Sequence, residues 1–195
     1  MKYSKKHTHY INKVMEVFRN DGLRLSLDEL ADKMGVSRKT LYNHFESKDA
    51  LLSAFMHSWM TAMKESIEAA FNRTSDTKAN LLAAFETVDT LFSDITPIFL
   101  YDMKKMYPQF SCNEHVPGSG FFKEALRENL QKGVAEGVYR SDLDTEFMSD
   151  YLTFTTFAYY FNNMTTNASV NMKNFFKNSM AFHLRALIPG DAPKQ

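Results

Sequence analysis

The run over residues 26–52, SLDELADKMGVSRKTLYNHFESKDALL, restricts the possible folds more than any other stretch of the chain. Ser26 can cap a helix, and Glu29 three residues on completes a capping box ahead of Leu30 and Ala31. Leu27, Leu30, Ala31 and Met34 recur at helical spacing, so this first helix buries one face. Gly35 then ends it, because a left-handed backbone costs glycine least. Val36 plugs the turn, and Ser37 caps a second helix expected over residues 38–45. That helix sends Arg38, Lys39, Thr40, Asn43 and His44 outward and Leu41 and Phe45 inward. Two short helices joined by a glycine-containing turn, the second rich in hydrogen-bonding side chains, form a helix-turn-helix signal.

The run Gly35-Val36-Ser37-Arg38-Lys39-Thr40-Leu41-Tyr42-Asn43-His44-Phe45, with Ser47-Lys48-Asp49-Ala50-Leu51-Leu52 behind it, resembles the DNA-binding domain of the tetracycline-repressor (TetR) family. Tyr-x-His-Phe and the lysine three positions later make the match more specific than a bare helix-turn-helix. The resemblance covers roughly residues 10–56, and it departs from the family pattern in a shortened link from Gly22 to Ser26. It implies an all-α protein of about nine helices, with a three-helix DNA-binding domain and a larger helical ligand-binding and dimerisation domain. The expected division is residues 1–50 and 51–195, with a helix over 47–71 belonging to both.

Net charge is zero across the 195 residues, which argues by itself against a nucleic-acid binder. Residues 1–60, however, carry 10 Lys+Arg against 7 Asp+Glu, while the remainder carries 13 against 16. A basic module on an acidic body suits a regulator better than a nucleic-acid coat. Cys112 is the only cysteine, so an internal disulfide is excluded. No apolar run approaches a membrane span and the N-terminus lacks a signal-peptide core, so the expected location is the cytoplasm.

Residues 1–9 are polar and basic (Lys2, Lys5, Lys6, His7, His9) and read equally as an arm near phosphates or as a solvated tail. Tyr10, Ile11, Val14, Met15 and Phe18 stripe a helix expected over residues 8–20. Ser47 and Asp49 open a helix expected to end near Phe71, about 35 Å long at ~1.5 Å per residue and thus too long for a fifty-residue domain. Further helices are expected from Leu81 to Phe92, from Pro97 to Met106 and over residues 121–136, 145–165 and 171–188. Residues 109–120 form the longest expected loop.

No G-x-S-x-G, phosphate-cradling glycine loop or H-E-x-x-H occurs, so enzymatic chemistry is not expected. Cys112, Glu114 and His115 are the one cluster of reactive types, and no cofactor or metal is assigned to it. Arg38, Lys39, Thr40 and Asn43 can reach base edges, where Arg and Asn make bidentate contacts with guanine and adenine. Tyr42, His44 and Lys48 match family positions that grip phosphates, and Ser26 and Ser37 are further phosphate candidates. The bland alternative is a solvated charged helix.

Beyond residue 80 the aromatic and Met residues are core by default. Phe85, Phe92, Phe99, Met103, Tyr107, Phe122 and Tyr160 are the candidate lining of an apolar pocket that the resemblance implies. The helix containing residues 151–161 is apolar around nearly its whole circumference, and a second stripe follows. Tyr151, Phe154, Phe161, Phe176, Met180, Leu184 and Leu187 are therefore candidates for a homodimer interface, the arrangement that the resemblance also implies. The function expected is a homodimeric regulator on a palindromic double-stranded operator, a repressor released by a small apolar or aromatic effector. A ligand-independent or partner-controlled regulator stays open, as does a helical enzyme or carrier with an incidental helix-turn-helix.

Overall fold

The computed structural model is described for residues 5–93, 95–106, 119–166 and 172–189, and within these for all side chains but those of residues 5–8, 100, 104, 160–166 and 172–177. Among the described residues the chain is all-α. It runs α1 (Lys5–Asp21), α2 (Leu27–Met34), α3 (Arg38–His44), α4 (Lys48–Phe71), α5 (Thr77–Ser93), α6 (Pro97–Met106), α7 (Ser119–Ala135), α8 (Thr145–Thr166) and α9 (Met172–Leu187). Each helix expected from apolar spacing is present. Their ends differ by a few residues, since a periodic stripe locates a helix but only its caps locate its ends.

Two compact units divide the chain, one of Met1–Ala62 with Asp94–Glu114, the other of Met63–Ser93 with His115–Gln195. The helix α4 runs through the boundary, its residues 48–62 in unit one and 63–71 in unit two. Unit one also takes in α6, although its sequence neighbours α5 and α7 belong to unit two. Ile11, Val14 and Phe18 of α1 are buried with Leu27, Leu30, Leu41, Leu51 and Phe55. Phe55 lies edge-on to Phe18 at 5.4 Å and to Phe99 of α6 at 5.9 Å, and Phe99 meets Trp59 at 5.7 Å.

Unit two is built around a cluster of phenylalanine rings. Phe122 of α7 meets Phe85 at 5.4 Å, Phe157 at 5.6 Å and Phe71 at 5.8 Å, and Phe157 meets Phe92 at 5.5 Å. Edge-to-face pairs of this kind add about 0.5–1.5 kcal/mol each to the burial of the rings themselves. A buried polar chain closes the end of α7: the Tyr139 hydroxyl donates to Asn129 Oδ1 at 3.0 Å, and Asn129 Nδ2 donates to the Thr77 carbonyl at 2.9 Å. Burial pushes the Tyr139 hydroxyl well above its ordinary pKa, so it stays a donor. On the rim, Lys123 of α7 reaches Asp150 at 2.7 Å and Glu146 at 3.1 Å on α8.

The described side chains of α8 divide into two faces. Leu152, Thr153, Thr156 and Phe157 form its buried face, whereas Phe147, Tyr151 and Phe154 are exposed, Phe154 by 73%. Counting apolar residues around a helix could not separate the face that the chain covers itself from the face that it leaves open.

Candidate nucleic-acid interface

Short-range hydrogen bonds set the α2–α3 pair. The Ser26 hydroxyl accepts the Glu29 N–H at 3.2 Å, and the Glu29 carboxylate accepts the Ser26 N–H at 2.7 Å and hydroxyl at 2.8 Å. These bonds, the backbone one first, hold the Glu29 carboxyl below its ordinary value. Gly35 follows α2 at φ 64, ψ 35, the left-handed stop that the sequence called for, and Val36 N–H returns to the Ala31 carbonyl at 3.0 Å. The Ser37 hydroxyl then accepts Thr40 N–H at 3.1 Å and starts α3.

With Leu41 and Phe45 buried, the other side of α3 is free to face outward. Arg38, Lys39, Tyr42 and Asn43 are exposed there, spaced i, i+1, i+4, i+5 along one face. Arg38 is steered by α2, its guanidinium 3.0 Å from Asp28 and 3.9 Å from Asp32. Such exposed pairs are weak and yield readily to a better partner. The half-buried Thr40 shares its hydroxyl with Ser37 at 2.7 Å, so both side chains are spoken for in the free protein.

The candidate phosphate contacts separate. Tyr42 stands out in the open, while His44 is half-buried with its ring 4.5 Å from Tyr10 of α1. Lys48 is half-buried at the start of α4, and loss of solvent lowers its ammonium pKa against the opposing pull of Asp49, Asp102 and Glu29. Ser26 is committed to Glu29. The basic N-terminal arm falls outside the described residues or side chains, apart from His9, whose ring lies 5.7 Å from that of Tyr10.

Two residues of this region were not singled out from the sequence. Asp102 of α6 is 1% exposed and accepts the Leu23 N–H at 3.0 Å and the Arg24 Nε–H at 2.7 Å. That pairing raises the Arg24 guanidinium pKa, chiefly through the hydrogen bond. Nothing local connects positions 24 and 102. The usable signal was an acidic residue falling beside Phe99 and Met103 on the buried face of α6.

The candidate pocket residues do not come together as one set. Phe85, Phe92 and Phe122 share the ring cluster of unit two, Phe99 and Met103 belong to unit one, Tyr107 lies outside the described residues, and the Tyr160 side chain is not described. A cleft of about 510 Å³ in unit two is lined by a mixture of charged side chains (Lys64, Glu68, Glu124, Glu128, Lys132), asparagines and the apolar Phe71, Phe121 and Ala125.

Of the candidate dimer residues, Met180 and Leu187 are covered by their own chain, Leu184 is half-buried, and the side chains of Phe161 and Phe176 are not described. The open apolar surface is carried by Tyr151 and Phe154, joined by Phe147 and Phe182, which were not singled out. Cys112, Glu114 and His115 lie outside the described residues, among which no group of three potential metal ligands occurs. Among the described residues no helix is long and apolar enough to cross a membrane.

Residues 11–55 match the family model described as bacterial regulatory proteins, tetR family. Over 157 residues, 78% of this chain and 76% of the relative, the sequence is 24% identical to the HTH-type transcriptional repressor KstR2 of Rhodococcus jostii. The fold is similar to that of a TetR transcription regulator from Haloarcula marismortui (TM-score 0.77, 18% identity, 96% and 100% of the two chains). It is also similar to the fatty acid degradation regulator FadR from Bacillus halodurans (TM-score 0.70, 18% identity, 94% and 97%). The capped α2–turn–α3 lies inside that match, so residues 11–55 are similar to the helix-turn-helix segment of the tetR family of bacterial regulatory proteins.

Proposed function

We propose that the protein is a homodimeric repressor that reads a palindromic operator through α3 and is released from it by a small, largely apolar effector. The observation that carries the proposal is the exposed row Arg38, Lys39, Tyr42, Asn43 over a buried Leu41 and Phe45. Arg38, Lys39 and Asn43 read base edges in the major groove, Thr40 joins them once its bond to Ser37 opens, and Tyr42 and Lys48 hold phosphates. Ser26, Ser37 and His44 reach phosphates only by giving up the contacts they make in the free protein. Two such helices about 34–36 Å apart on a two-fold axis match successive major grooves, so dimerisation is part of recognition. The open row Phe147, Tyr151, Phe154 on α8, with Phe182 on α9, is the surface that a second copy covers.

The repressor assignment follows the name of the Rhodococcus jostii relative, and the apolar effector suits both the aromatic interior of unit two and the fatty acid regulator of similar fold. Since α4 runs from one unit into the other, its tilt is the proposed link between effector and operator. A second reading is favoured by one observation: Phe85, Phe92 and Phe122 pack on one another and on Phe157. By that reading the regulator responds to no small ligand.

Titration of a cognate effector with and without operator decides between them. A repressor released by ligand binds the effector about 5–150-fold more weakly on DNA, because coupling is reciprocal. Equal affinities in both titrations would leave the ligand-independent regulator. Phe154→Asp is expected to yield monomers that keep α1–α3 folded and lose operator affinity; a variant that sediments and binds like the wild type would remove the assigned interface.

A further inference from the structure

The entrance to the helix-turn-helix is gripped by a helix that lies outside it. The Asp102 carboxylate, 1% exposed, accepts one hydrogen bond from the backbone of Leu23 and one from the side chain of Arg24. Both belong to the link between Gly22 and the Ser26 cap of α2. Gly22 stands at φ 80, and a Cβ there would lie 2.5 Å from Asp102 Oδ2 and 3.0 Å from Ile98 Cγ1. The link thus approaches α6 as closely as a bare backbone permits. Just ahead of α6 the Thr96 hydroxyl donates to the Arg19 carbonyl in the last turn of α1, and the Arg24 guanidinium sits 5.5 Å from the Tyr101 ring centre.

A carboxylate taken out of water persists only where partners replace its hydration. Here the two hydrogen-bonding partners are neighbours in a link of a few residues, and that link sets where α2 begins. The direction of α2 in turn sets where the exposed face of α3 stands. Leu23 is itself fully buried, so without Asp102 its N–H has no water to turn to.

We propose that Asp102 is a positioning residue for DNA binding, acting through Leu23 and Arg24 to fix the α1–α2 link and with it the placement of α3. The inference rests on α3 being the DNA-reading helix. It makes operator affinity depend on a residue whose sequence neighbours on either side, α5 and α7, belong to the other unit.

The test uses the full-length chain and a duplex selected from a random-sequence pool by the wild-type protein. At a temperature where the variant keeps wild-type helix content, Asp102→Ala is expected to bind that duplex on the order of tenfold more weakly. Asp102→Asn keeps an oxygen for Leu23 N–H and recovers part of the loss. Arg24→Ala added to Asp102→Ala changes nothing further, because both act through the same carboxylate. Unchanged duplex affinity in folded Asp102→Ala overturns the proposal and leaves Asp102 a stabilising residue only. Amide exchange at Leu23 supplies a readout without DNA: acceleration in Asp102→Ala supports the link being held by the carboxylate, and an unaltered rate refutes it. A wild-type protein that selects no duplex would fail on α3 itself, and amide exchange would then judge the Asp102 contact alone.

Discussion

Both units of the chain are helical and aromatic, yet they are held together by bonds of different range. In the α2–α3 part of unit one, groups three or four residues apart do the ordering: Ser26 with Glu29, Gly35 with Ala31 and Asp32, Ser37 with Thr40. Apolar side chains go beneath, and the polar ones above are left to meet something else. In unit two, Phe122 gathers rings from α4, α5 and α8, and Asn129 links Tyr139 to Thr77, which lies fifty-two positions before Asn129. The first arrangement tolerates change on its surface and shows itself in short sequence windows. The second is spread over long separations, and small changes of volume disturb it.

The largest effect that follows is at the ring cluster. Phe122→Ala removes a ring that meets those of Phe71, Phe85 and Phe157, and is expected to cost about 3–5 kcal/mol in denaturant unfolding. Tyr42→Ala on the exposed face of α3 is expected to change stability by less than about 0.5 kcal/mol. Similar costs for the two would erase the contrast.

Glycines sharpen the comparison. A Cβ at Gly133 would lie 2.1 Å from two carbons of the Tyr139 ring, so Gly133→Ala is expected to cost about 3 kcal/mol through overpacking. Gly35 has open space around it but a positive φ, and Gly35→Ala is expected to cost about 1–2 kcal/mol from backbone strain alone. Thermal unfolding of both variants checks the order, which reverses if local geometry outweighs packing.

A smaller loss than at either glycine is expected at the α2 cap. Ser26→Ala is expected to cost about 1 kcal/mol. It also removes an acid sensitivity: the folded Glu29 carboxyl lies below its ordinary 4.5, so its contribution is complete above that pH and is lost as pH falls through the lowered folded value. Stability profiles between neutral pH and pH 3 are thus expected to fall more steeply in the wild type than in Ser26→Ala, and parallel profiles would show that the capping box does not set the acid limb.

The same difference in range explains what could be read beforehand. Caps, stop glycine, turn and the outward row of α3 were legible because each depends on neighbours within four residues. The positions of all nine helices in the described residues followed from apolar spacing. Asp102 was not legible as a partner of Leu23 and Arg24, since its role comes from packing across nearly eighty residues. Nor was the facing of α8: Phe154 and Phe157 look alike in sequence, but one is open and the other covered by Phe92 and Phe122. His44 was assigned by family pattern to phosphate, and the ring of Tyr10 is what it meets in the free protein.

The most direct measurement of the account is the binding of Arg38→Ala, Lys39→Ala, Asn43→Ala and Lys48→Ala to a selected duplex and to random DNA over a range of salt. The three α3 variants are expected to lose about 1–3 kcal/mol on the selected duplex and much less on random DNA. Lys48→Ala is expected to weaken both alike and to lower the salt slope by about one. Equal losses on both duplexes for Arg38→Ala, Lys39→Ala and Asn43→Ala would contradict the claim that α3 reads bases.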